Sequence, residues 1–227
     1  MIEYTFKLAD GRSFHFRVDL ARRFDRKADL ALHPSWTRLE FRQCANCPLK
    51  REEFRHCPVA LDIEPVITAF QATNSYDKVT VEVRTPERAY SRLCDVQTGL
   101  RSLLALLMAT SVCPILARLK GLARFHLPFA TLEETVFRSA GSYLLRQYYI
   151  AKEGGEPDWE LRGLIEFYRE LQVVDRWLKE RIDAASVKDA NMNAAGSLIY
   201  LAMGVAFSLE DQLEELRQTF AGDVGKK

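Results

Sequence analysis

The sequence has almost no excess charge of either sign. Its 32 Lys and Arg residues stand against 31 Asp and Glu, a net charge of +1, which excludes a globally basic nucleic-acid binder and leaves room only for a local patch. It begins Met1-Ile2-Glu3-Tyr4-Thr5-Phe6, without the basic region and apolar run of a secretory signal. Long uninterrupted hydrophobic runs are missing. Leu100 to Leu119 is broken by Arg101, Ser102 and Arg118, and Ala194 to Leu209 is only 16 residues, short of the roughly 20 that span a bilayer. Both stretches are expected to be buried helices, with no membrane involved and the cytoplasm as location. Five cysteines are an odd number, which with no signal argues against a disulfide scaffold. There is no internal repeat and no low-complexity segment. G-x-S-x-G, a Gly-rich phosphate loop and H-E-x-x-H are all absent, so no catalytic residue is assigned and the chain leans away from an enzyme.

What is present is a chain of 227 residues, 48% hydrophobic, with enough apolar mass to offset its ordering entropy. Ile2, Tyr4, Phe6 and Leu8 alternate with polar neighbours, the period of a half-buried strand. Asp10-Gly11 then signals a hairpin turn, and Ser13 to Leu20 alternates again through Phe14, Phe16 and Val18. A third strand is expected at Thr37 to Phe41 and a clear one at Lys78 to Arg84. Pro65 is expected to open a short helix, Val66 to Phe70. Thr85-Pro86 reads as the start of a helix to about Thr110, with Tyr90, Leu93, Val96, Leu100, Leu103, Leu104 and Leu107 on its apolar face. A short helix is expected at Pro114 to Leu119, closed by Gly121, and Ala123 to Phe129 reads as an ordered connector.

Thr131-Leu132-Glu133-Glu134 is a capping box opening a helix to about Lys152. Gly154-Gly155-Glu156-Pro157 breaks it, Asp158 caps a helix to about Ala184, and Ser186 to Asp189 opens another to the C-terminus. Strands therefore precede residue 85 and helices follow it. The expected fold class is α+β: a small antiparallel sheet with a cysteine-rich loop, then a helical bundle. The division is a β-rich part, 1–84, and a helical part, 85–227. Residues 1–60 carry 12 basic and 8 acidic side chains and residues 151–227 carry 10 and 15, a bias that solvated faces account for.

The informative stretch runs Cys44-Ala45-Asn46-Cys47-Pro48 and on to His56-Cys57-Pro58. Cys44 and Cys47 form a C-x-x-C, whose spacing lets two thiolates converge on one cation across a tight turn. Three sulfurs and one imidazole within 14 residues suit a tetrahedral zinc site. The expected metal ligands are Cys44, Cys47 and Cys57, completed by Cys113 or by His56, which could instead support a ligand from behind. Cys47, Cys57 and Cys113 are each followed by Pro, a dipeptide that recurs at iron–sulfur ligands, so an iron–sulfur cluster on the same four sulfurs is the alternative. A metal-free thiol redox sensor is the other, although no βαβ unit surrounds the C-x-x-C. Cys94 is expected mid-helix as a small buried hydrophobe.

His126, between Arg124-Phe125 and Leu127-Pro128-Phe129, could bind an anion, but an ordered connector anchored by two Phe explains it too. His15 is expected exposed and His33 in a turn. Arg22, Arg23, Arg26 and Lys27 could touch phosphates, but no aromatic stacking platform accompanies them, so nucleic acid is disfavoured. The stripe Leu198, Leu201, Val205, Leu209, Leu213, Leu216 and Phe220 could serve a homodimer or an unidentified protein partner through the C-terminal helix. It would look the same as a core face.

The stretches Cys44 to Ala60, Cys113 to Leu116 and Arg124 to Ala130, which read C-A-N-C-P-L…H-C-P-V-A, C-P-I-L and R-F-H-L-P-F-A, resemble those of a group of small uncharacterised bacterial proteins. The resemblance implies a bacterial, cytoplasmic origin and places Cys113 and the His126 connector near the cysteine loop. It implies no activity and transfers no catalytic residue. The sequence reading is thus a cytoplasmic binding or regulatory protein with a structural zinc.

Overall fold

The computed structural model describes residues 1–220 as an α+β fold. Strands β1 (Ile2–Leu8), β2 (Ser13–Val18), β3 (Lys78–Arg84) and β4 (Ala89–Asp95) form one antiparallel sheet in the order β2-β1-β3-β4. Alternation sets the register. Ile2, Tyr4, Phe6 and Leu8 of β1 and Val79, Val81 and Val83 of β3 all point to one face and are buried. Gly11, at φ +89°, makes the β1–β2 turn in a backbone region that costs a residue with a Cβ.

A short helix precedes the two that cover that face. α1 (Arg26–Leu30) is capped by Asp25, which accepts from the Lys27 and Ala28 amides. α2 (Pro58–Phe70) brings Phe70 to within 5.1 Å of Phe6 and 4.6 Å of Phe14, ring centre to ring centre. It starts seven residues before the expected Pro65. Pro58 sits in the first turn, where its missing N–H is no loss, and Pro65 is accommodated inside because it lies on the exposed side. α3 (Val96–Thr110) crosses the sheet closely: a Cβ at Gly99 would stand 2.7 Å from Val81 Cγ2 and 2.8 Å from Phe6 Cε1.

The helix expected from Thr85-Pro86 is instead a hairpin followed by α3. Thr85 Oγ1 accepts from the Glu87 and Arg88 amides and the Thr85 N–H bonds the Arg88 carbonyl, closing a turn into β4. Cys94 is accordingly on a strand, opposite Val79, not mid-helix. The sheet thus continues past residue 84. The strand expected at Thr37 to Phe41 is also replaced. Ser35–Thr37 is a 3-10 turn and Arg38 makes a single bridge with His56, in place of a strand. Gly121 does not end a helix; a 3-10 turn (Leu116–Leu119) runs into α4 (Lys120–Arg124) through it.

The remaining helices are α5 (Leu132–Lys152), α6 (Arg162–Ala185) and α7 (Ala190–Arg217). The chain divides into two compact units, one of 1–129 with 173–199 and one of 130–172 with 200–227. Within the second unit, as described to Phe220, α5 opens on the expected capping box, with Thr131 and Glu134 exchanging side-chain and main-chain bonds. Asp158 accepts from the Gly163 N–H at 2.8 Å and from Tyr143 at 2.9 Å, fixing the start of α6 after Leu161, whose φ is +61°. The C-terminal stripe is partly consumed internally: Leu198, Val205 and Leu209 are buried, whereas Tyr200, Met203 and Phe207 of α7 are exposed. Ala190–Phe220 is the one stretch among the described residues long and apolar enough to cross a membrane by length and composition, a third of its most apolar window being buried. Its helix runs beyond the 16-residue apolar stretch legible in the sequence.

Candidate functional site: a cysteine loop and a buried arginine

The loop between Thr37 and Cys57 is closed at its base by two main-chain bonds, Leu39 N–H to the Arg55 carbonyl at 3.1 Å and Cys57 N–H to the Thr37 carbonyl at 2.8 Å. Asp29, fully buried, ties the base to α1: its carboxylate accepts the Arg55 N–H at 3.0 Å and the His56 N–H at 2.9 Å. Inside the loop, the Cys47 N–H bonds the Cys44 carbonyl at 3.0 Å, so the C-x-x-C is a tight turn that turns both thiols to one side. Gln43 Nε2 donates to the Leu49 carbonyl at 3.1 Å and holds the flanks together.

Cys57 and Cys113 are placed by a shared device. Each precedes a proline that opens a helical turn: Cys57 is the cap of α2, with no cap hydrogen bond to its side chain, and the nearby Ala60 and Val59 amides lower what burial raises at its sulfur. Cys113 precedes Pro114, and the Leu116 and Ile115 amides act on its thiol in the same sense. The Cys57 carbonyl accepts from Leu61 at 3.1 Å and the Cys113 carbonyl from Ala117 at 2.8 Å, the same geometry twice. Free N–H groups at the start of a helical turn favour negative charge on the sulfur. Two of the three Cys-Pro pairs seen in the sequence, at Cys57 and Cys113, thus share one local geometry, whereas Cys47-Pro48 opens no helical turn.

All four thiols lie in the first unit and feel one another. Burial pushes Cys44 up to about 12, with the charges of Cys57, Cys47 and Cys113 adding to it. Burial likewise pushes Cys113 up to about 11, with Cys57 and Cys47 as neighbours, and raises Cys57, with Cys47 again a neighbour. Cys44 and Cys47 are half-buried, Cys57 and Cys113 buried. As their protons leave only with difficulty, Cys44, Cys57 and Cys113 are poor nucleophiles, since the thiolate is the reactive form. Among the described residues no three Cys, His, Asp or Glu side chains already stand in the arrangement of a metal shell. The sulfurs are neighbours, not a closed tetrahedron. Cys94 stands apart, in the fields of Arg92, Asp95 and Lys78.

His56 is turned the other way. Its Nδ1–H donates to the Asp29 carbonyl at 2.7 Å, and its ring meets that of His33 edge to face at 5.2 Å. His33 in turn bonds Glu64 at 2.6 Å and the Ala28 carbonyl at 2.9 Å. His126 bonds the Tyr4 hydroxyl at 2.6 Å on β1. His15 is exposed and bonds Thr5 at 3.0 Å. In the basic cluster Arg22 is half-buried against Asp62 at 2.5 Å and Arg26 donates to the Glu53 carbonyl.

The cysteine motif gave no hint of Arg181. Its guanidinium, 1% exposed, reaches across from α6 to the base of the loop. Nη1 donates to the carbonyls of Trp36 at 2.8 Å and Arg38 at 2.7 Å, and Nη2 to Leu39 at 2.9 Å. Its charge acts on Cys44 and Cys57, lowering what burial raises. A sequence signal did exist: Arg181 falls on the inward stripe of α6 with Leu178 and Ile182, where a charge has no reason to be unless something receives it.

No curated protein and no solved structure matches the chain. A family model matches residues 2–221, nearly the whole length, and the chain belongs to that family, DUF6901, a domain of unknown function.

Proposed function

We propose that the four thiols hold a structural zinc ion and that the protein is a cytoplasmic binding or regulatory module whose loop the metal locks. What supports this reading is that Cys44, Cys47, Cys57 and Cys113 come from three separate segments into one compact unit, where the charges of Cys57, Cys47 and Cys113 act on Cys44 and those of Cys57 and Cys47 act on Cys113. Four thiolate sulfurs would form a donor set for a tetrahedral ion of borderline softness. The 38–56 loop is made of turns and carries Arg, Lys and Glu at its tip, so it has little apolar surface of its own to hold it. Zinc would draw in the half-buried C-x-x-C arm and contribute its binding energy to folding. His56, occupied with Asp29, supports the loop base in this reading, and Cys113 supplies the fourth sulfur.

The test is elemental analysis and a visible spectrum of protein purified without chelator or oxygen. One zinc per chain, lost in Cys44→Ser and in Cys113→Ser together with a lower melting temperature, and retained in Cys94→Ser, is the expected result. Iron with sulfide and a visible band would replace zinc by a cluster on the same sulfurs. A metal-free wild type whose cysteines link reversibly under mild peroxide would replace both by a redox sensor.

A further inference from the structure

Arg181 presents an electrostatic problem that its own contacts do not solve. The guanidinium is almost wholly buried, and its three bonds all go to neutral carbonyls. Among the described residues no carboxylate pairs with it, and its Nε–H has no acceptor. A buried cation without an anion is costly, and neutral carbonyls compensate it only in part. The Arg181 Nη1 donates to the carbonyls of Trp36 and Arg38, on either side of Thr37, and the Thr37 carbonyl takes the Cys57 N–H at 2.8 Å. The guanidinium therefore stands where the chain pairs with the segment that carries Cys57, and its charge favours the thiolate there and at Cys44. Zinc bound by four thiolates carries a net charge of about −2. Such a centre is as short of a cation as Arg181 is short of an anion.

We propose that Arg181 is the counter-cation of an anionic metal–thiolate centre. It compensates the centre's charge through its Nε–H face while its other N–H groups fix the loop base, which makes it a positioning residue and not a ligand. The inference rests on the zinc reading and deepens it: the ligand set is four sulfurs, because a neutral imidazole in the fourth place would leave less negative charge for Arg181 to meet.

The experiment measures zinc affinity by competition with a chromophoric chelator for wild type, Arg181→Lys and Arg181→Met, and records the cobalt-substituted spectra of all three. Arg181→Met is expected to bind zinc about 10–100-fold more weakly, the range typical of lost outer-shell partners. Arg181→Lys, which keeps the charge but cannot serve all three carbonyls, recovers most of that loss. The thiolate-to-cobalt band moves in Arg181→Met and stays in Arg181→Lys. Equal losses in both variants with an unmoved band would reduce Arg181 to a structural clamp and overturn the inference while leaving the zinc reading intact. A fold too weak in Arg181→Met is bypassed with wild type. There the Arg181 Nε–H resonance, observed by nitrogen-15 NMR, shifts when zinc is added, and a resonance that ignores bound zinc overturns the inference. A wild type that takes up no zinc at all fails the underlying reading, and the counter-cation falls with it.

Discussion

The Asp29 carboxylate accepts the His56 N–H at 2.9 Å, and the Asp29 carbonyl accepts from the Nδ1 of the same His56 ring at 2.7 Å. One residue of α1 thus holds both the main chain and the side chain of the residue before Cys57. A second carboxylate oxygen takes the Arg55 N–H at 3.0 Å. Asp29→Ala would leave two amides at the loop base without acceptors. Bonds to a charged group contribute about 1.5–3 kcal/mol each, so a loss of roughly 3–6 kcal/mol is expected. Denaturant unfolding measures that loss, and faster hydrogen exchange at the Arg55 and His56 amides localises it. A variant as stable as wild type would show that the base is held by other contacts.

Gly99 is a position where only hydrogen fits. A Cβ there would meet Val81 Cγ2 at 2.7 Å and Phe6 Cε1 at 2.8 Å, both in the floor of the sheet. Gly99→Ala ordinarily favours a helix by about 1 kcal/mol, but here overpacking costs about 1–3 kcal/mol and wins. A lower melting temperature is expected, whereas Gly141→Ala, with open space around it on α5, should be neutral or stabilising. The two substitutions differ only in what the added methyl touches.

The Tyr4 hydroxyl lies between Ser102 Oγ at 2.7 Å and His126 Nε2 at 2.6 Å, joining β1, α3 and the connector before α5. Burial pushes this phenol far above the usual range, so it stays a neutral donor and acceptor. Tyr4→Phe removes both bonds and leaves Ser102 and His126 to find other partners, a cost of about 1–3 kcal/mol. Calorimetry of the pair Tyr4→Phe and His126→Ala would show non-additive losses, since each removes the same bond.

These positions mark where the sequence could be read and where it could not. β1, β2 and β3 were legible because one face of each is buried and the other is not, so polarity alternates. β4 was not. Leu93 is 72% exposed at the sheet edge, so alternation is lost, and the apolar residues from Tyr90 to Leu107 happen to continue the stripe of α3. Thr85-Pro86 deepened the error, because a Thr that can cap a helix can equally close a hairpin. The thiols were legible as chemistry from spacing alone, yet nothing local shows that Cys113 lies beside Cys57 while His56 turns to Asp29 and His33. Arg181 bonds residues more than 140 positions away, a contact that only the tertiary fold creates.

Asp175 supplies a pH dependence. It is 4% exposed, its Oδ1 has no partner, and Leu104, Met108, Leu178, Ile182, Ala195 and Leu198 surround it. Burial alone raises it to about 8. The folded state therefore keeps a proton that the unfolded chain has released above the ordinary Asp value near 4. Stability from this group is full below pH ~4, falls as pH rises from there to about 8, and is level above. The span of about four pH units corresponds to at most ~5 kcal/mol. Asp175→Asn has no such proton, so its melting temperature should exceed that of wild type increasingly from pH 5 to pH 8. A difference that stays constant with pH would mean the carboxyl ionises in the fold without penalty.

The same accounting applies to zinc uptake and separates the metal reading from the redox one. Cys44, Cys57 and Cys113 are all raised by burial, so in the metal-free protein at pH 7 each holds its proton, and a thiolate shell must expel all three. In weakly buffered solution with a pH indicator, adding zinc should release at least three protons per ion bound, and affinity should climb steeply with pH. Cys113→Ser should release one proton fewer. Release of one proton or none would mean that zinc sits on an adventitious surface site or on imidazole, because neither has buried thiols to deprotonate. Mild peroxide should act slowly on the metal-free protein at pH 7, since raised thiols offer little thiolate to attack it. Rapid oxidation there would contradict the burial that holds these sulfurs neutral.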